Sequence, residues 1–117
     1  MVTINYNGRI FRTVSNTSEG EVDARTTFRY RQQGNIVWAE YTGGKIAFGQ
    51  LLGLVLPDGK LEIRYQHVNE EGELMTGICI STPEILTDGR LRLHEAWQWT
   101  SGERTSGESI VEEILVL

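Results

Sequence analysis

A carboxylate in apolar company is the first sign of chemistry in this chain. Glu95 sits between Leu93 and Trp97 in a stretch where Leu91, Leu93, Glu95, Trp97 and Trp99 alternate with Arg90, Arg92, His94 and Gln98. Alternation of period two puts the two sets on opposite faces of a β-strand. A carboxylate on the apolar face must be paired, protonated or open to a wet cavity, because burying it alone is very costly. Residues 60–68 repeat the pattern, with Leu61, Ile63, Tyr65 and His67 opposite Glu62, Arg64 and Gln66. His67 is thus the expected partner of Glu95. Tyr30, Tyr65 and Gln50 are candidate hydrogen-bond donors to the pair, and Glu112 joins them if the last strand turns Ile110, Glu112 and Ile114 inward.

Polar groups converging in an aromatic-walled interior are what a small-molecule pocket requires. The expected ligand contacts are Tyr30, Tyr65, His67, Glu95, Trp97, Trp99 and Glu112. Glu95 and His67 could instead serve as acid and base in an isomerase or lyase, if desolvation raises the carboxyl pKa. Two plainer readings stand beside these. The pair could be a satisfied structural cluster, or a bulge could shift the register and turn Glu95 outward.

Other chemistry finds no support. Two histidines and one cysteine make no cluster at zinc-ligand spacing, so no metal is expected. Cys79, between Ile78 and Ile80, reads as packing. No G-x-S-x-G elbow, phosphate-binding glycine loop or dinucleotide fingerprint is present, so no cofactor is expected and no catalytic residue is assigned.

The elements that must position these residues are marked by Gly-containing dipeptides along the whole chain, among them Gln33-Gly34, Gly43-Gly44, Asp58-Gly59, Glu71-Gly72 and Asp88-Gly89. Strands are expected near 2–6, 9–14, 24–32, 35–42, 45–56, 60–69, 73–81, 90–100 and 107–116. Pro83 should end one strand and could open a short helical turn after Thr82. Ser109-Ile110-Val111-Glu112 has capping-box form, but its β-branched residues favour a strand that closes the sheet. In 45–56, Ile46, Phe48, Gln50, Leu52 and Leu54 are expected inside. The opposite face of Ala47, Gly49, Leu51 and Gly53 would then admit another strand or subunit. Eight or nine such strands in sequential hairpins call for closure, since open edges invite aggregation. The expected fold is a single all-β domain over 1–117, an up-and-down antiparallel barrel with the N-terminal segment or the 15–23 loop covering one end.

Composition narrows the partners. A net charge of -5 argues against nucleic acid, and Arg25, Arg29 and Arg31 read as a solvated face. The N-terminus lacks a signal-peptide pattern and no apolar run is long enough to span a membrane, so a cytoplasmic protein is expected. The single cysteine fits a reducing compartment. A third reading of function is a structural or interaction protein that self-associates, as a homodimer for example, through the small-residue face of 47–53 or the apolar end Ile114-Leu115-Val116-Leu117; Trp38 could equally sit at an interface.

Two resemblances follow from particular runs. Tyr65-Gln66-His67-Val68-Asn69, Gly72-Glu73-Leu74-Met75-Thr76-Gly77 and Leu93-His94-Glu95-Ala96-Trp97-Gln98-Trp99-Thr100-Ser101-Gly102 resemble short bacterial proteins often labelled N-acetylglutamate synthase. Synthases of that name carry an Arg/Gln-x-x-Gly-x-Gly/Ala loop between a strand and a helix. Arg31-Gln32-Gln33-Gly34-Asn35-Ile36 supplies only its first half, in a hairpin turn, so no active-site residue transfers and that activity is not expected. The barrel with Trp97-x-x-Thr100-Ser101-Gly102 also resembles the avidin and lipocalin (calycin) barrels. In streptavidin a similar stretch lies near the biotin pocket. That resemblance implies a barrel with a mouth and a cavity.

Overall fold

The computed structural model describes residues 4–115. Eight strands follow one another: β1 Ile10–Asn16, β2 Thr27–Gln33, β3 Ile36–Gly43, β4 Ile46–Val55, β5 Leu61–Asn69, β6 Leu74–Ile85, β7 Leu91–Trp99 and β8 Ser106–Ile114. Each pairs antiparallel with the next, and β8 pairs with β1, so the sheet is a closed barrel. The expected all-β up-and-down barrel is the fold. No helix occurs among the described residues.

Turn chemistry explains the meander. Gly34 opens the two-residue link from β2 to β3 with φ 60°, while Asn35 keeps negative φ, the pattern of a hairpin turn whose twist matches its strands. The supposed acetyl-CoA loop is this hairpin. Gly43, at φ 117°, lets the β3–β4 turn press against the backbone carbonyl of Arg25, where a Cβ would collide.

The final segment is strand, as its β-branched residues favoured. It runs beside β7 from Arg92↔Glu112 to Gln98↔Ser106 and beside β1 from Ile10↔Ile114 to Asn16↔Ser109, with an irregularity between Thr13 and Ser15. The β1–β2 ladder is the short one, pairing only Ile10, Phe11 and Arg12 with Arg29, Phe28 and Thr27.

Three expectations about elements are corrected. Residues 4–6 are not a strand, and residues 2 and 3 lie outside the described ones. With β1 and β8 paired there is no free edge for a ninth strand. Tyr6 is instead fully buried and packs on Tyr30 at 6.0 Å between ring centroids. It plugs the barrel end where β1 begins. Pro83 does not end β6, which continues to Ile85. Pairing with β5 stops at Ser81, whereas pairing with β7 runs on to Ile85. Pro83 falls in that overhang, an edge position where a missing N–H is tolerated.

The third correction concerns β4. A bulge between Ile46 and Phe48 shifts its register by one residue, and a one-residue slip exchanges the two faces. Phe48, Gln50, Leu52 and Leu54 therefore face outward, while Gly49, Leu51 and Gly53 face inward. The small-residue face thus meets the interior rather than a second subunit, and Gln50 is no interior donor. Elsewhere alternation holds: Leu61, Ile63 and His67 on β5, and Leu91, Leu93, Trp97 and Trp99 on β7, are buried.

Candidate functional site

Odd-numbered strands end at one rim of the barrel, which brings His67 and Asn69 from β5 beside Trp97 and Trp99 from β7. The loop 17–26, leaving β1 at the same rim, folds across it. Beneath the loop lies a small cavity of about 60 Å³. Tyr41, Tyr65, Cys79, Trp97 and Trp99 form its walls, Glu95 and Ser109 its polar side, and Gly20, Glu21 and Val22 its roof.

The rings are placed by glycines. Tyr41 is directly opposite Gly49, Tyr65 opposite Gly77, and Trp97 opposite Gly107. In each pair a Cβ on the glycine would strike the facing ring. Only glycine leaves room for these rings to lie across the neighbouring strand. The rings then contact one another: Tyr65 meets Trp99 edge-on at 5.7 Å, and Trp97 lies 5.6 Å from Trp99. A methyl at position 77 would push the Tyr65 ring tip into the cavity. The native cavity is expected to take up xenon, read by ¹²⁹Xe NMR, and Gly77→Ala to abolish that uptake at a stability cost of about 1 kcal/mol. Undiminished xenon binding would contradict this placement of the ring.

Glu95 is half-buried, lines the cavity and is flanked by a serine on each neighbouring strand, Ser81 on β6 and Ser109 on β8. The Ser109 hydroxyl donates to Glu95 Oε1 at 3.2 Å. The Ser81 hydroxyl is buried beside it without a hydrogen-bond partner among the described residues. Burial pushes the Glu95 carboxyl up to about 7, and the Ser109 and Ser81 hydroxyls pull weakly the other way. Near neutral pH it can therefore donate or accept. The Tyr41 and Tyr65 hydroxyls are raised by burial and stay protonated. The Cys79 thiol is likewise raised by burial and is no nucleophile.

His67 does not pair with Glu95. Its Nδ1 accepts from the Tyr41 hydroxyl at 2.9 Å, and its Nε2–H donates to Glu21 Oε1 at 2.7 Å. Burial lowers its pKa and the bond to Glu21 opposes that. With both ring nitrogens engaged elsewhere, the expected acid and base couple does not form. Glu112 is also corrected. Ser109 and Val111 are the buried residues of β8, so Glu112 points outward and its carboxylate binds Arg92 at 2.8 Å. Tyr30 is buried away from the cavity lining, between Tyr6 and Phe11. The cavity does gather Tyr65, His67, Glu95, Trp97 and Trp99.

Several lining residues escaped the sequence reading. Ser109 and Tyr41 occupy inward positions that alternation would reveal once each register is known. Glu21 gave no signal, since a glutamate in a polar loop reads as solvated.

An eight-stranded meander barrel with an aromatic cavity under a loop is the architecture of a ligand-holding barrel. The chain belongs to the avidin-like family: the family described as Avidin-like protein matches residues 4–114, nearly its whole length. Among curated proteins no match was found.

Proposed function

We propose that this protein is a non-enzymatic binder of a small molecule held in the barrel. One observation carries the reading. Glu95, with a pKa near 7, faces an aromatic cavity and among the described residues has only the Ser109 hydroxyl as a hydrogen-bond partner. A buried polar group so poorly matched is what a ligand's polar head would complete. The contacts proposed are Tyr65, His67, Glu95, Trp97 and Trp99, with an apolar ligand body against the rings and a hydrogen-bonding head at Glu95. The separation of His67 from Glu95 by its own hydrogen bonds speaks against the acid and base reading.

Native mass spectrometry of protein purified from its own host tests this. A co-purifying small molecule is expected, absent from Glu95→Gln protein of unchanged fold. Ligand-free native protein that also leaves biotin unbound, the ligand the streptavidin likeness brings in, would sink the reading.

A second copy as partner is favoured by the outer face of β3 and β4. Ile36 opposes Leu54 and Trp38 opposes Leu52, and all four are exposed, Leu52 by 60%. Contiguous exposed apolar side chains at facing positions are what a second copy would cover. The same spectra report the dimer mass.

A further inference from the structure

The loop 17–26 is tied down by its own chemistry. Trp97 Nε1 donates to Asn16 Oδ1 at 3.1 Å, Asn16 Nδ2 to the Val22 carbonyl at 3.0 Å, and Trp99 Nε1 to the Glu19 carbonyl at 3.2 Å. At its centre the Glu21 side chain enters the mouth. One carboxylate oxygen takes the His67 Nε2–H and the other takes Asn69 Nδ2 at 3.0 Å.

Both donors are locked in place. His67 and Asn69 are 3% and 4% exposed. The Glu21 carboxylate can only accept, so His67 Nε2 carries the proton, and the Tyr41 hydroxyl holds the ring at Nδ1. Asn69 Oδ1 accepts the backbone N–H groups of Glu71 and Glu73, which turns its amide nitrogen toward Glu21 and the Glu73 carboxylate. Two fixed donors, one for each oxygen, make a seat for a carboxylate.

The roof also limits what can enter. Under it the cavity offers about 60 Å³ to the centres of water-sized molecules, room for a few waters. A larger ligand requires the roof to lift, and lifting withdraws Glu21. The His67 Nε2–H then loses its acceptor, at about 1–3 kcal/mol, and one Asn69 amide N–H loses its own while the other stays on the Glu73 carboxylate, unless the ligand supplies acceptors.

We propose that His67 and Asn69 form a carboxylate-binding subsite at the barrel mouth, filled by Glu21 in the closed protein and by the carboxylate of the ligand when it binds. Glu21 is then an exchangeable internal occupant, and the ligand class is a carboxylate with an apolar body. The inference rests on the barrel being a binding cavity.

The test titrates hexanoate, and hexanol as its uncharged counterpart, into native, Glu21→Ala and Glu21→Ala/Asn69→Ala proteins, following the His67 ring and Trp99 indole signals by NMR. Thermal melts check that each variant is folded, and Glu21→Gln supplies a version that keeps the side-chain shape. Hexanoate is expected to bind Glu21→Ala at least tenfold more tightly than native protein, with Glu21→Gln between them. Hexanol should gain less than threefold, and the Asn69 change should reverse the hexanoate gain. Equal gains for hexanol and hexanoate overturn the subsite while leaving the binding cavity in place. Entry of neither molecule into any variant overturns the subsite and removes support for the cavity reading as well.

Discussion

Glu95→Gln is expected to raise the free energy of unfolding at pH 8 by up to about 3 kcal/mol and to leave it nearly unchanged at pH 4.5. Folding lifts the Glu95 pKa from 4.5 to about 7 because burial penalises its charged form. A carboxyl with a raised folded pKa favours the native state fully below its unfolded value. That contribution is lost as pH rises through the folded value, so the penalty develops between about pH 4.5 and 7 and is complete above. The shift of about 2.5 units corresponds to roughly 3 kcal/mol at 1.36 kcal/mol per unit, a ceiling where cavity water reaches the carboxyl. Glutamine keeps the shape, still accepts from Ser109 and carries no charge. Depressed carboxyls such as Glu84 and Asp88 impose an acid-side slope on both proteins alike, so the difference isolates Glu95. Urea unfolding of both proteins at pH 4.5, 6 and 8 measures it. Curves that stay parallel across this range would show that Glu95 is not desolvated.

Gly49→Ala should cost about 3 kcal/mol, a fall in thermal midpoint of roughly 10 °C for a domain of this size. The added Cβ would overlap the Tyr41 ring and lie 2.8 Å from His67 Cβ. Neither neighbour has anywhere to go. Tyr41 is stacked on Phe28 at 4.9 Å, and its hydroxyl holds His67. Overpacking of this kind costs about 1–3 kcal/mol, and a disturbed buried hydrogen bond adds about 1. Combining the change with Tyr41→Val, which removes the ring, should recover part of the loss in a double-mutant cycle. Strict additivity of the two changes would place the clash elsewhere.

The architecture was legible because turn chemistry is local: a glycine at positive φ between strand-forming residues announces a hairpin wherever it stands. Alternation likewise placed Glu95, Trp97 and Trp99 inside, since β7 runs without a bulge. It failed in β4 because one bulged residue, Ala47, exchanges the faces of everything after it. It failed for Glu112 because the inward face of β8 depends on its pairing with both β7 and β1. The partner of His67 was illegible for another reason. Glu21 and His67 are 46 residues apart, and nothing local says which carboxylate a folded loop carries to a barrel mouth. The facing pairs of rings and glycines were present in the sequence all along, but they become visible only when register is known.

The short ladder between β1 and β2 has a kinetic consequence. Those strands are matched at three positions, whereas β4 and β5 are matched at nine. Closure of the barrel is therefore least secure at the seam from which the roof loop springs. Local opening there, at a free energy well below that of global unfolding, would loosen the anchorage of the roof loop and so let it lift. Arrival and departure of any guest would then be timed by this seam rather than by the strength of its contacts inside, and a tight complex would exchange slowly from both directions.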